Sequence, residues 1–120
     1  MRRIVLVIFI ITMIPLSAEP AHQHKEKEYQ AKWCAEHGGI AEYRLDDGSR
    51  VDCLTDEYAI EFDFAPKWAE AIGQALYYAE KTGRKPGIVL IDEGNGARFM
   101  RRLEAVSSRY HIHVWRDKKS

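Results

Sequence analysis

The chain has 120 residues, 46% of them apolar, 30% charged and 11% aromatic, which fits one globular domain and excludes a disordered, collagen-like or multi-domain protein. Lysine plus arginine and aspartate plus glutamate each number 18, so total charge gives no argument for a nucleic-acid or membrane partner. Any such partner must be recognised by local charge.

The N-terminus reads as a secretory signal peptide. Met1-Arg2-Arg3 is a short basic start, Ile4 to Leu16 is apolar and broken late by Pro15, and Ser17-Ala18 supplies small residues for cleavage after Ala18. The apolar run falls short of the roughly 20 residues that span a bilayer. An uncleaved anchor is the alternative; after cleavage, no stable membrane association is expected. Export to a periplasm or the medium is therefore expected for the mature chain. Removing residues 1 to 18 leaves 16 basic against 18 acidic side chains, a formal charge of −2. Two cysteines remain, Cys34 and Cys53. In an exported chain an even pair reads first as a disulfide, with two separately buried thiols as the alternative.

Residues 19 to 24 read as a linker, 25 to 115 as the domain and 116 to 120 as a basic tail. Lys25 to His37 places Tyr29, Trp33 and Cys34 at helical spacing and stops at Gly38-Gly39. Ile40 to Leu45 and Arg50 to Leu54 flank Asp46-Asp47-Gly48-Ser49, the turn chemistry of a hairpin. Tyr58 to Phe64 alternates apolar and polar, the pattern of a half-buried strand. Pro66 opens an amphipathic helix over Lys67 to Lys81, ended by Thr82-Gly83. Gly87 to Ile91 is a continuous apolar run suited to a buried strand, Ala97 to Arg109 is a further amphipathic helix, and His111 to Trp115 alternates again. The expected class is α/β, a central mixed sheet flanked by helices.

A turn at Asp56-Glu57 makes Leu54 face Ala59, Cys53 face Ile60 and Asp52 face Glu61. Carboxylates so opposed repel, which demands a proton on one of them or a cation between them. Magnesium takes one or two carboxylates plus waters and phosphate oxygens, so the pair has suitable chemistry. A register shifted by a residue or two would instead leave both acids facing water. The same register sets Asp63 opposite Arg50, where it serves either as an ion-pair partner or as a third metal ligand. On the following helix, at about 100° per residue, Lys67, Gln74 and Tyr78 fall within roughly 20° of one stripe, apart from the apolar face. That stripe is either merely solvated or directed at the acidic strand.

These pieces together resemble the PD-(D/E)xK nuclease superfamily, in its RecB-like and Holliday-resolvase-like branches: Asp52 on the second strand, Glu61-Phe62-Asp63 on the third, and a QxxxY sequence at Gln74 and Tyr78. The resemblance covers about residues 25 to 115. It implies a restriction-endonuclease-like αβββαβ core and hydrolysis of DNA phosphodiester bonds. Asp52 and Glu61, with the Phe62 carbonyl, would hold Mg²⁺ or Mn²⁺, with Asp63 as the further acid. Gln74 and Tyr78 would steer the substrate strand or the water. The family usually carries lysine two residues after the second acid, where this chain has Asp63, and Lys67 one helical turn on can supply the ammonium.

Holding a polyanion at a charge of −2 requires a local basic face. Arg98, Arg101 and Arg102 lie on the polar side of the last helix and supply either phosphate contacts or a solubilising surface. Asn95-Gly96 before that helix offers either amides for a phosphate or a plain turn, and His111 and His113 are expected to share a strand face as a surface pair. The reading is an exported Mg²⁺-dependent endonuclease acting on DNA, with an inactive binding module on the same scaffold as the alternative. A homodimer is expected by analogy with the family.

Overall fold

The computed structural model describes residues 25 to 118. The signal peptide and linker read over residues 1 to 24 lie outside the described residues, as do Lys119 and Ser120. The described chain is an α/β protein, with a five-stranded mixed sheet flanked by three helices.

Helix α1 spans Glu26–Glu36. Glu26 and Glu28 sit in its first turn, where carboxylates complement the helix dipole, and Gly38 at φ 65° turns the chain out of it. Strands β1 (Ile40–Arg44) and β2 (Arg50–Leu54) form the expected hairpin in register Ile40↔Leu54 to Arg44↔Arg50. Its turn is fixed by the Ser49 amide donating to Asp47 Oδ1 at 2.9 Å and by Gly48 at φ 87°. Strand β3 (Tyr58–Phe64) returns against β2 with Leu54↔Ala59 and Cys53↔Ile60, the register read from the turn. Pro66 begins a short 3₁₀ turn, Ala65–Lys67, so α2 itself starts one residue later than expected, over Trp68–Thr82, and ends at Gly83 in the left-handed region. Strand β4 (Lys85–Asp92), helix α3 (Ala97–Tyr110) and strand β5 (His113–Lys118) complete the fold.

The sheet order is β1-β2-β3-β4-β5, with the first three strands antiparallel and β3, β4 and β5 mutually parallel. Alternation divides β3 and β4 between two cores. Ile60, Phe62, Phe64, Val89 and Ile91 pack with Tyr29 and Cys34 under α1. Ile88 and Leu90 face the other way and pack with Ala71 and Ala75 of α2 and Phe99 and Leu103 of α3. Glu61 and Asp63 alternate with the α1-facing set and so belong to the α2 side.

Cys34 and Cys53 are joined in a disulfide that ties α1 to β2, with Cα atoms 5.7 Å apart. Gly39 passes directly over it; a Cβ there would overlap Cys53 Sγ and stand 2.8 Å from Cys34 Sγ. No larger residue fits without moving the bridge.

The C-terminal end corrects two expectations and decides between two alternatives. His111 is the left-handed cap of α3, at φ 55°, and β5 begins at His113, so the two histidines do not share a strand face. Residues 116 to 118 are not a tail, since β5 runs to Lys118 and Arg116 hydrogen-bonds through Nε (3.0 Å) and Nη2 to Asp92 Oδ2. Asp92 is 1% exposed and its Oδ1 accepts from the amides of Gly94 (2.9 Å) and Gly96 (2.7 Å). The amides before α3 therefore bind a resident carboxylate rather than a phosphate. Burial pushes Asp92 up, but Arg116 and the two amides outweigh it and hold the carboxyl below its ordinary range. Asp92→Ala strands these donors and is expected to cost about 3 kcal/mol in urea unfolding.

Candidate active site: a carboxylate pair between splayed strands

Strands β2 and β3 pair only at Leu54↔Ala59 and Cys53↔Ile60, and the ladder stops where the acids begin. On the far side of β2, Glu42 takes φ 55° and drops out of the β1 ladder opposite Asp52, between the Ala41↔Cys53 and Tyr43↔Val51 pairs, with the register unbroken on either side. Beyond the ladder, Asp52 replaces a backbone partner: its Oδ2 accepts the Phe62 amide at 2.9 Å. Its own carbonyl accepts from Gln30 Nε2 of α1 at 2.8 Å. Asp52 is thus gripped from both sides by backbone and helix.

Asp52 and Glu61 meet across this gap and share a hydrogen bond, which requires one proton between them. Glu61 is 3% exposed, and burial first, then the charge of Asp52 beside it, raises its carboxyl far above the ordinary range. Its Oε1 is buried without a hydrogen-bond partner among the described residues, a feature that costs about 1–3 kcal/mol unless something else satisfies it. Asp52 is also raised, chiefly by burial.

Asp63 stands two residues on, 5% exposed, its carboxyl pushed up to about 7 by burial and next by Glu26; the Lys67 ammonium works against the rise. Arg50 does not pair with it across the strands but turns to Glu42 at 3.9 Å. Lys67 is exposed at the end of the 3₁₀ turn, close enough for its field to lower both Asp63 and Glu26. Tyr78 is 8% exposed, packed with Val51, Leu54 and Ala59, and burial together with the charges of Glu61 and Asp52 raises its phenol. Gln74 is half-buried one turn earlier on α2, and no side-chain hydrogen bond joins it to the carboxylates among the described residues.

Two contributors escaped the sequence reading. Glu26, at the start of α1, is raised by burial and by Asp52 and in turn raises Asp63; Gln30, 3% exposed one turn later, holds the Asp52 carbonyl. Helical spacing sets Glu26 and Gln30 on one face of α1, which was the available signal. Which strand α1 crosses is a tertiary fact.

The donor set suits a hard divalent cation. Among the described residues no three His, Cys, Asp or Glu side chains converge on one point, so Asp63 does not join the pair as a third ligand, and Asp52 and Glu61 are the residues that would hold such an ion. The orphaned Glu61 Oε1 is the oxygen such an ion would satisfy. Arg98, Arg101 and Arg102 are exposed on α3, apart from the pair, with Arg98 and Arg102 lying over the Phe99 ring at 4.5 and 5.8 Å.

Fold and site define a small α/β protein with a buried acidic pair where two strands of its sheet part. No family model matches the chain and no solved structure matches it. A stretch of 71 residues is 37% identical to a KilA-N domain-containing protein of Acanthamoeba polyphaga mimivirus, covering 55% of this chain and 28% of that relative. The chain spans under a third of the curated relative's length.

Proposed function

We propose that the protein is an exported, metal-dependent nuclease of the PD-(D/E)xK, restriction-endonuclease-like kind that hydrolyses DNA phosphodiester bonds. The observation that carries this reading is the Asp52–Glu61 pair, gathered by Phe62 N–H and Gln30 at the parting of β2 and β3, with a carboxylate oxygen left without a partner. A site built only for stability would not keep two buried acids together.

Asp52 and Glu61 would hold Mg²⁺ or Mn²⁺, with Asp63 beside them. When bound, the ion polarises a phosphoryl oxygen and lowers the pKa of a coordinated water. The chain's own residues do the rest. Gln30 and the Phe62 amide fix the Asp52 carboxylate, the Lys67 ammonium lends positive charge at the open side, and Tyr78 and Gln74 bound the site from α2 and orient water or strand. The arginines of α3 supply sequence-independent phosphate contacts. Export accords with the disulfide, which persists in oxidising compartments.

Purified protein incubated with plasmid and Mg²⁺ is expected to cut it, and to stop in chelator and in the Asp52→Ala and Glu61→Gln variants. Replacing Arg98, Arg101 and Arg102 together with Ala is expected to weaken DNA binding uniformly across sequences. The slope of log affinity against log salt should fall by about 2.7, at roughly 0.9 per lost contact. Asp63, buried in the position of the family's lysine, favours a second reading, a DNA-binding module that has lost the chemistry. Uncut plasmid with retained, arginine-dependent binding selects that reading; no cleavage and no binding removes both.

A further inference from the structure

We propose that the end of the molecule around Arg84 is a self-association surface on which a second copy of this chain docks about a two-fold axis. Two adjoining hollows share Arg84. One, of about 390 Å³, is walled by Ile40, Tyr43, Leu54 and Lys81; the other, of about 540 Å³, by Leu76, Ala79, Glu80, Pro86 and Tyr110. Ile40 is 60% exposed, Tyr43 39%, Leu76 39% and Tyr110 55%; with Tyr77, next to Leu76, they are the large apolar side chains most exposed to solvent among the described residues. Exposed tyrosines and leucines scattered singly need no explanation. Gathered around one arginine, they have the composition of an interface core.

The charges at the centre identify the partner. Arg84 Nε donates at 2.9 Å to the Asp56 carbonyl, a neutral group, and among the described residues no carboxylate pairs with the guanidinium. Glu80, exposed on the rim of the same hollow, likewise has no ion pair among the described residues. By contrast, the neighbouring Lys81 is matched to Asp46 at 3.2 Å and Tyr77 donates to Asp47, so among the described residues that wall the two hollows Arg84 and Glu80 are the charged groups left without an ion pair. A patch carrying one unmatched acid and one unmatched base is complementary to itself under two-fold rotation: Arg84 of each copy meets Glu80 of the other, and the apolar walls close together. A formal charge of only −2 after removal of residues 1 to 18 adds little long-range repulsion between copies. Lys67, which precedes the start of α2 and marks the open side of the site, walls neither hollow, so docking around Arg84 leaves that side uncovered.

Sedimentation equilibrium of the purified protein tests this. The expected result is a dimer whose self-affinity falls at least tenfold in Glu80→Arg and in Arg84→Glu, each of which sets like charges face to face. An equimolar mixture of these two variants should recover the dimer, because each copy then offers the charge the other lacks. Leu76→Glu, on a different wall, should also give monomers, and thermal melts coincident with the parent show that these surface changes leave the fold intact. A monomeric parent protein at high micromolar concentration overturns the proposal. So does a dimer indifferent to all three substitutions, or variants that fail to recover on mixing.

Discussion

Breaking the Cys34–Cys53 bridge is expected to remove about 3 kcal/mol of unfolding free energy, a large part of the stability of a domain of about 95 residues. The bridge closes a loop of 19 residues in sequence, and tying such a loop restricts the unfolded chain by about that amount. Its local weight falls on the C-terminal half of α1, since Tyr29, which donates to Glu93 at 3.1 Å, and Gln30 anchor the first half. Only Tyr29, Gln30 and Cys34 of the helix are buried, and its N-cap residue, Lys25, makes no side-chain cap. With the bridge gone, the C-terminal half of α1 rests on Trp33, whose ring packs edge-on against Phe62 at 5.6 Å and Trp115 at 5.2 Å. Urea unfolding with and without a dithiol reductant measures the loss, and the Cys34→Ser, Cys53→Ser double variant should reproduce it without leaving an unpaired thiol. The urea dependence should steepen, since the unlinked chain exposes more surface when unfolded. Gly39→Ala is expected to act in the same direction by forcing a methyl group against both sulfurs. A loss below about 1 kcal/mol would mean that α1 is held by contacts other than the bridge.

Because Gln30 holds the Asp52 carbonyl and lies one turn before Cys34, the bridge also reaches the site. This is where sequence and structure part company. The register of β2 on β3 at Leu54↔Ala59 and Cys53↔Ile60 was legible because alternation and a two-residue turn fix pairing with period 2, whereas the parting of the strands beyond it, where Asp52 and Glu61 lie, was not. The αβββαβαβ order was legible for the same reason: each element carries its own periodicity and its own stop, Gly38, Gly48 or Gly83. Lys67, Gln74 and Tyr78 read as one polar stripe, yet Tyr78 is buried, because an amphipathic wheel cannot tell solvent from the gap between two parting strands. Arg116 reads in the sequence as the start of a basic tail, yet its partner Asp92 lies 24 residues away on the neighbouring parallel strand. Parallel neighbours joined by a helix leave no local mark of register. Glu26 was invisible for a similar reason, since α1 alone does not say which strand it crosses.

In chelator, Asp63→Asn is expected to stabilise the protein at neutral pH and to leave it nearly unchanged near pH 4. Asp63 is pushed up to about 7, by burial first and then by Glu26, against an ordinary value of 3.8. Between those two values the folded protein keeps a proton that the unfolded chain releases, so unfolding free energy falls as pH rises through the window, and the full penalty stands above pH 7. A shift of about three units corresponds to roughly 4 kcal/mol as an upper bound, and local relaxation should reduce this to about 2 kcal/mol. The variant's advantage in thermal or urea unfolding should therefore grow steadily from pH 4 to 7.5. Glu61→Gln should act in the same direction, since Glu61 is buried beside Asp52 and retains its proton well above the ordinary range. A divalent cation should do for the parent protein what these substitutions do, stabilising it at pH 7.5, little at pH 5, and not at all in Asp52→Ala, because binding requires the carboxylates to be ionised. An Asp63→Asn advantage that is flat with pH would show that Asp63 is already ionised at acidic pH in the folded protein, and parent stability that does not respond to Mg²⁺ or Mn²⁺ would show that the buried pair is satisfied by its shared proton alone.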